Sequence, residues 1–453
     1  MARSVHRRRV LAAATACAAI AASLTACTTG GGSGGSSSSQ TLTIAEWTNP
    51  TAITFTQQVD AAFEKAHPGV TIKLEQAPTA NNAWPTLQNS LLAAKSVDLL
   101  AQFPPNPEAY PPANTGLKPS GTAALIANGQ FVNLANQPFM SRFDPTSQQF
   151  AMGYNGGVYG VMVAEYVNTT GMYYKKDILA KYGLSVPKTL TEFVEDMATL
   201  KSHGVTPIFV AGKDGYQNIA WAGIINQLMM QDKPAAAVDE VYKARAEAFW
   251  SGTQNWNSPL YQQAAQNYAK IMNYIEPSAS GVPAATAATQ WAVQSENYPF
   301  LIDGSWDGNT IAQTAPSLNF GFMAIPGTDD ASWNRAALAP DLSWAIPTFS
   351  KHQSLAEEYL DFFTSPAEYA QWVAATGSLS TEPAVPTAKA GWTDWLTANA
   401  AQGYMNQTQP WTPTGAPTAA GGPTLTAVQP FGSQSMTDAL DQSATAYSKA
   451  LGH

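Results

Sequence analysis

Apolar side chains along the first hundred residues switch between a period of two and a period of three to four. Leu42 and Ile44 alternate with threonines over 41–47 and read as a strand. Phe55, Val59, Ala62, Phe63 and Ala66 follow at mostly helical spacings, and Pro68 with Gly69 stops that helix. Val70, Ile72 and Leu74 alternate again as a second strand. Trp84, Leu87, Leu91 and Leu92 mark a second helix, and 97–102 is a short apolar run, a third strand. Strand, helix, strand, helix, strand implies parallel pairing through crossovers, an α/β sheet. In such sheets ligands bind outside the carboxyl ends of the strands. Trp47 and Gln102 stand at two of those ends.

Residues 103–119 are Pro-rich and irregular, a surface loop, and a second α/β stretch follows. Tyr173 is expected to begin a helix. Thr189 and Glu192 form a capping box opening another, with Phe193, Met197 and Leu200 on its inner face and Gly204 at its end. Residues 205–210 then read as a strand. Ser354 with Glu357, and Ser365 with Glu368, are two further capping boxes, the second with Pro366 at the favoured first helical position. Residues 391–432 are rich in Pro, Thr and Trp and have no period. Met436, Leu440, Tyr447 and Leu451 mark a final amphipathic helix.

The N-terminus changes the picture of compartment. Arg3, Arg7, Arg8 and Arg9 precede a mostly small, apolar run over 10–26, shorter than the ~20 apolar residues of a comfortable membrane span. It reads as a signal peptide over 1–26. The run ends at Leu24, Thr25, Ala26 and Cys27, which resembles the lipobox of bacterial lipoproteins. That resemblance implies cleavage before Cys27 and a diacylglycerol on its sulfur. The chain has two cysteines, Cys17 and Cys27, so the mature form would keep one, at its first position, and could form no internal disulfide. Residues 27–40 are then a Gly/Ser linker, a flexible coil spanning roughly 20 Å. The expected location is the extracellular face of the cell membrane, held by the lipid, by Sec or twin-arginine export.

Composition narrows the ligand. Charged residues are 12% of the chain and the formal charge is −9, which argues against nucleic acid, since that partner wants a basic face. Thirteen Trp and 17 Tyr in a weakly charged chain suit a neutral, hydroxylated ligand, and equally a carbohydrate-active enzyme. The five histidines are scattered and give no zinc pair, so neither metal nor cofactor is expected. Glycine motifs that formally match a nucleophile elbow and a dinucleotide loop lie in the linker, without the strand and helix they need. A glycosidase would need two opposed carboxylates, for which Asp303, Asp307 and Asp341 are available on paper.

Four segments resemble one family, the extracellular solute-binding proteins (family 1) of bacterial sugar importers, similar to maltose-binding protein. They are the opening strand–helix–strand through 63–70; 157–160 with 168–177; 187–193; and 301–306 with 320–327, in family order over most of the body. The resemblance implies a two-lobed periplasmic-binding-protein-like fold of type II, with the ligand cleft between lobes joined by hinge crossings. It places 41–160 and 301–350 in the N-terminal lobe and 161–300 and 351–453 in the C-terminal lobe. The chain is expected to leave the first lobe near 161–164, return near Leu301 and leave again near Ser350. Tyr174, Lys175 and Lys176 stand where the family usually has Tyr-Asn-Lys, and Met162 where a Pro is common, departures that bear on the ligand more than on the fold.

The implied function is a lipid-anchored, monomeric receptor that captures a mono- or oligosaccharide by lobe closure and delivers it to the permease subunits of an ABC transporter. The alternatives are a secreted glycosidase and a surface lipoprotein without a transport role. Candidate ligand residues are Trp47, Thr48 and Asn49 after the first strand, Gln102 and Phe103 after the third, and Tyr166 and Asn168 in the crossing segment. Trp221 opens an apolar helix. Trp306 and Asp307 follow the Gly304 turn at a stacking position. Asp341, Ser343 and Trp344 fall where the family's chain approaches the sugar.

Overall fold

The computed structural model describes residues 40–48, 50–79, 82–105, 109–294, 296–406 and 410–452. The leader over 1–26, Cys27 with its Gly/Ser tract, and Asn49 lie outside the described residues. Gln40, expected in the linker, is the first residue of a strand and pairs with Val70.

The first sheet has five strands in the order β2-β1-β3-β13-β6. They are β1 (Gln40–Trp47), β2 (Val70–Ala77), β3 (Leu99–Gln102), β6 (Val161–Met162) and β13 (Ser343–Ala345). The first three run parallel, and β13 lies antiparallel to β3 and to β6. The alternation at 42 and 44 is the inward face of β1, and Phe55, Val59 and Phe63 of helix Pro50–Ala66 cover it. Helices Gln353–Phe363 and Pro366–Thr376 complete this core, with Phe363 edge-on to Phe55 at 5.7 Å and to Trp344 at 6.1 Å. Truncating a buried aromatic there costs ~3–5 kcal/mol. A short hairpin of β4 (Gly153–Tyr154) and β5 (Gly157–Val158) leads into β6.

The second sheet has the order β11-β8-β10-β9, from β8 (Gly171–Lys175), β9 (Ile208–Val210), β10 (Phe300–Ile302) and β11 (Phe320–Ala324). Strand β8 is antiparallel to both its neighbours, and β10 is parallel to β9. Tyr173, expected to begin a helix, sits in β8, and the helix starts at Lys176. Four of the five residues of β8 are buried, so neither helical nor strand periodicity is visible there. The capping box at Thr189 forms in both halves and opens helix Leu190–Ser202. The other two do not: His352 stands at the cap of helix Gln353–Phe363, and Ser365, although at the cap position, makes no side-chain cap bond. Helices Gln217–Met230, Pro259–Met272 and Met436–Leu451 pack into this second core.

Two antiparallel strands cross between the lobes. β7 (Glu165–Val167) carries the chain out of the first sheet, and β12 (Ala337–Pro340) carries it back, with Tyr166 opposite Ala339. β14 (Tyr404–Met405) flanks β12. A third crossing follows helix Pro366–Thr376, where Leu379 bridges to Glu165. The expected lobe boundaries therefore need correcting. Residues 301–324 do not join the first lobe, because β10 and β11 hydrogen-bond to β8. The return is at β12 and not near Leu301. Residues 351–376 stay in the first lobe, because Tyr359, Phe363 and Trp372 pack into its core, and the last exit lies beyond Thr376 and not near Ser350.

Candidate functional site

Each sheet presents one edge to the crossing strands. In the first, Ser343 at the amino end of β13 pairs with Gln102 at the carboxyl end of β3 and with Met162 at the carboxyl end of β6. In the second, Ile302 at the end of β10 pairs with Val210 at the end of β9 and with Met172 near the start of β8. β6 runs on into β7 and β12 into β13, so these two edges lie at the two ends of the crossing strands. Strand ends are where the ladder stops and side chains become available to a ligand.

On the first edge, Trp47 is buried beneath Phe103, with ring centroids 4.0 Å apart and planes 14° from parallel. Trp84 meets Trp47 edge-on at 5.8 Å and fixes it from behind. Phe103 is 42% exposed, so the stack offers an aromatic face to solvent on a rigid support. Thr48 is exposed beside it. Gln102 is fully buried; its Oε1 accepts from Gln88 Nε2 at 2.8 Å and Thr122 Oγ1 at 3.2 Å, while its Nε2 has no protein partner. The Ser343 hydroxyl is likewise buried without one.

The second edge is built on the turn after β10. Tyr173 donates its hydroxyl hydrogen to the Gly304 carbonyl at 2.9 Å, and the Gly304 N–H donates to Asp303 Oδ1 at 2.7 Å. The Val167 N–H donates to Ser305 Oγ at 3.0 Å, which ties the turn to crossing strand β7. A Cβ at position 304 would fall 2.0 Å from the Trp306 ring, so only glycine lets the indole fold back over the turn. Trp306 is half-buried and flanked edge-on by Tyr166 at 6.3 Å and Tyr216 at 6.1 Å. It packs against the cores of both lobes.

Carboxyl groups dominate the electrostatics here. Burial first, and then the Asp307 carboxylate, push the Asp303 carboxyl well above the usual range. Burial pushes Asp307 up to about 6, offset in part by hydrogen bonds from Asp303, Thr310 and Trp306. Burial pushes Asp341 up to about 7. The charges that help raise the Tyr216 hydroxyl, after burial itself, are Asp303, Asp307, Asp214 and Asp341, all negative. Burial and the neighbouring Asp307 thus both favour the protonated form of Asp303. Asn168 Oδ1, Thr169 Oγ1, Asp303 Oδ2 and both amide atoms of Gln217 are buried without a protein partner. Each such group costs about 1–3 kcal/mol if left unpaired. Aromatic faces with spare donors and acceptors can receive a ligand that has apolar C–H faces and many hydroxyls.

The structure thus gathers Tyr166, Trp306 and Asp307, with Asp341 close enough to act on Tyr166, and sets Trp47, Gln102, Phe103 and Ser343 on the facing sheet's edge. Asn168 is half-buried between β7 and β8. Two expected residues are placed elsewhere. Trp344 is fully buried in the first core, because side chains alternate along β13 and Ser343 takes the other face. Trp221 is buried in the second core, edge-on to Tyr268 at 5.8 Å, since its helix is buried on nearly every side. Sequence reading missed Tyr216 and Gln217. They follow the turn after β9, and the strand-end rule that found Trp47 and Gln102 would have found them had it been applied to 208–210.

A groove of about 880 Å³ lies between helix Pro259–Met272 and residues 428–437. It meets β9 through Thr206 and Pro207, at the end away from the crossing strands, and is separate from this site. Among the described residues no cluster of His, Cys, Asp and Glu could hold a metal ion, and no helix is long and apolar enough to cross a membrane.

Comparison with known proteins agrees with this architecture. The chain is 21% identical over 337 residues to the multiple sugar-binding protein of Streptococcus mutans, covering 70% of this chain and 69% of that one. A chitin oligosaccharide binding protein superposes with a TM-score of 0.70 at 16% identity, covering 92% of this chain and all of that one. The solute-binding protein RafE in complex with raffinose superposes with a TM-score of 0.66 at 20% identity, covering 90% of this chain and all of that one. At such identities the likeness shows the two-lobed fold. The profile of the bacterial extracellular solute-binding proteins matches residues 48–370, and with that match over most of its length the chain belongs to this family.

Proposed function

We propose that this protein is the receptor of a bacterial ABC importer for an uncharged mono- or oligosaccharide, binding it between the lobes and presenting it to the permease once the lobes have closed. The observation that carries the reading is the pairing of an exposed aromatic stack, Trp47 with Phe103, on one lobe and the Trp306 ring on the other, each beside buried polar atoms with spare hydrogen-bonding capacity. Rings meet the C–H faces of a sugar, and the amide, hydroxyl and carboxyl groups meet its hydroxyls. The names of the relatives, which bind multiple sugars, raffinose or chitin oligosaccharides, support a sugar over another solute. The acidic surroundings of Tyr216 and Trp306 disfavour uronic or phosphorylated sugars.

A thermal-shift screen of the purified protein against neutral mono- and oligosaccharides tests this. A true ligand at a hundred times its Kd stabilises the fold by about 2.7 kcal/mol. Absence of stabilisation by any sugar removes the proposal. The glycosidase reading is less favoured, because Asp303 and Asp307 lie on the same turn, near enough for Asp307 to push the Asp303 carboxyl up. Hydrolysis needs two carboxyls on opposite sides of the scissile bond, ~5 Å or more apart. Sugar cleavage lost in Asp307→Asn would reverse that preference. The lobes are tethered to the outer face of the membrane through a lipid on Cys27, supported by Leu24, Thr25 and Ala26 before it. Lipid labelling lost in Cys27→Ser is the expected result, and labelling retained there moves the anchor elsewhere.

A further inference from the structure

Away from the crossing strands, the lobes also touch through a loop of the first. Residues 109–120 follow β3 and rejoin the first lobe at helix Gly121–Ala127. Both ends of the segment are held to that lobe. Tyr110 stacks on Tyr154 of β4, with centroids 5.2 Å apart and planes 19° from parallel, and the Ser120 N–H donates to the Ala109 carbonyl at 3.3 Å. Pro111, Pro112 and Pro119 restrict the backbone between them. Thr115 Oγ1 donates to the Pro112 carbonyl at 2.6 Å and accepts from the Leu117 N–H at 3.2 Å, which fixes the direction of the chain at Leu117.

Leu117 packs against the buried cluster formed by Tyr242 and Ala246 of helix Val238–Trp250 together with Trp411, on which Trp250 at the helix end also packs. These partners belong to the second lobe. Phe249 of the same helix meets Trp256, Tyr261 and Tyr447 edge-on at 5.3–5.5 Å, and Tyr447 donates its hydroxyl hydrogen to the Trp411 carbonyl at 2.7 Å. One leucine on a proline-stiffened strap of the first lobe is thus seated in an aromatic notch of the second. None of the residues it touches lies on a crossing strand.

We infer that Leu117 is a latch between the lobes, which biases the ligand-free protein toward the closed arrangement independently of any contact with ligand. Moving the lobes apart exposes Leu117 and the faces of Tyr242 and Trp411 to water, which opposes opening. The strap changes its own conformation little in the process, because its prolines and local hydrogen bonds hold it, so little entropy is gained by release. The inference concerns the lobe equilibrium and does not depend on which solute is bound.

Small-angle scattering of the ligand-free protein tests it, with Leu117→Ser beside the packing-preserving Leu117→Met. Removing the apolar contact is expected to shift the ratio of open to closed molecules about tenfold toward open. The radius of gyration then rises in Leu117→Ser and stays at the wild-type value in Leu117→Met, with circular dichroism unchanged in both. Equal radii for wild type and Leu117→Ser overturn the inference. Loss of folded structure in Leu117→Ser also overturns it, since Leu117 would then support the fold and not the lobe equilibrium. Because no sugar is present, failure here leaves the proposed solute untouched, and failure of the sugar screen leaves the latch untouched.

Discussion

At the scale of single residues, Trp306 decides most. Gly304 gives the indole its place over the turn, and two tyrosines hold it edge-on without covering it. An aromatic side chain buries ~150–250 Å² when covered, and at ~25 cal/mol per Å² the gross stabilisation from a stacked sugar is several kcal/mol. Ordering and the exposure that remains offset part of that. Trp306→Ala is therefore expected to weaken sugar binding by roughly 2 kcal/mol or more, with a modest change in Tm because the ring is half-buried. Calorimetry and a ligand-free melt measure the two quantities. A Tm loss corresponding to ~3–5 kcal/mol with affinity unchanged would make Trp306 a core residue and remove the cleft as drawn. Gln217, with both amide atoms buried and unpartnered, shows the limit of reading types in isolation. Its residue type alone does not mark it; its place does, as the first residue of the helix that follows β9.

At the scale of elements, β1 and the two helices packed on it are joined by carboxyl groups without a cation. Thr56 of helix Pro50–Ala66 donates to Glu46 Oε2 at 3.2 Å, and Tyr359 of helix Gln353–Phe363 donates to Asp60 Oδ1 at 2.7 Å. Burial pushes Glu46 up to about 8 and Asp60 up to about 7. The folded state thus keeps protons that the unfolded chain releases from about pH 4 upward. Stability is highest below that pH with respect to these groups and falls as pH rises through the folded values, by about 1.4 kcal/mol per pH unit for each group. Glu46→Gln, which cannot ionise, is expected to melt higher than wild type near pH 8 and to converge with it toward pH 4. Parallel melting curves across that range would mean that Glu46 is ionised or relieved in the fold. The elements themselves were legible to different degrees. Helices with one apolar face, such as Pro50–Ala66 and Met436–Leu451, follow directly from spacing. β8 was hidden because it is covered on both faces, and an apolar run of that length has no period to read.

At the scale of the whole molecule, the lobes are joined by β7, β12 and the segment beyond Thr376, which meet at Glu165 through its pairings with Pro340 and Leu379. Short strands of this kind bend at few positions, the usual construction of a hinge. A sugar that touches Phe103, stacked on Trp47, on one side and Trp306 on the other gains its full contact area only when the lobes approach. Binding is therefore expected to lower the radius of gyration in solution scattering at saturating sugar. A radius unchanged by a sugar that calorimetry shows to bind would confine the site to one lobe. The same geometry makes Trp47→Ala and Trp306→Ala non-additive, since each ring needs the other lobe in place.

The sequence by itself determined the α/β class, the helices with amphipathic faces, the strand ends at Trp47 and Gln102, and the turn at Gly304 that carries Trp306. Each of these depends on neighbours a few positions away, where periodicity, capping and glycine geometry act directly. Only the tertiary structure decided which sheet residues 300–324 join, where the chain crosses between lobes, and that Trp344 and Trp221 are core while Tyr216 faces Trp306. Those outcomes depend on pairings such as Gln102 with Ser343 and Met172 with Ile302, between positions far apart in the chain. A three-residue apolar strand is equally at home in either lobe as far as its own side chains are concerned. Its partner is selected by the summed burial and hydrogen bonding of the assembled sheet, a quantity that no local pattern contains.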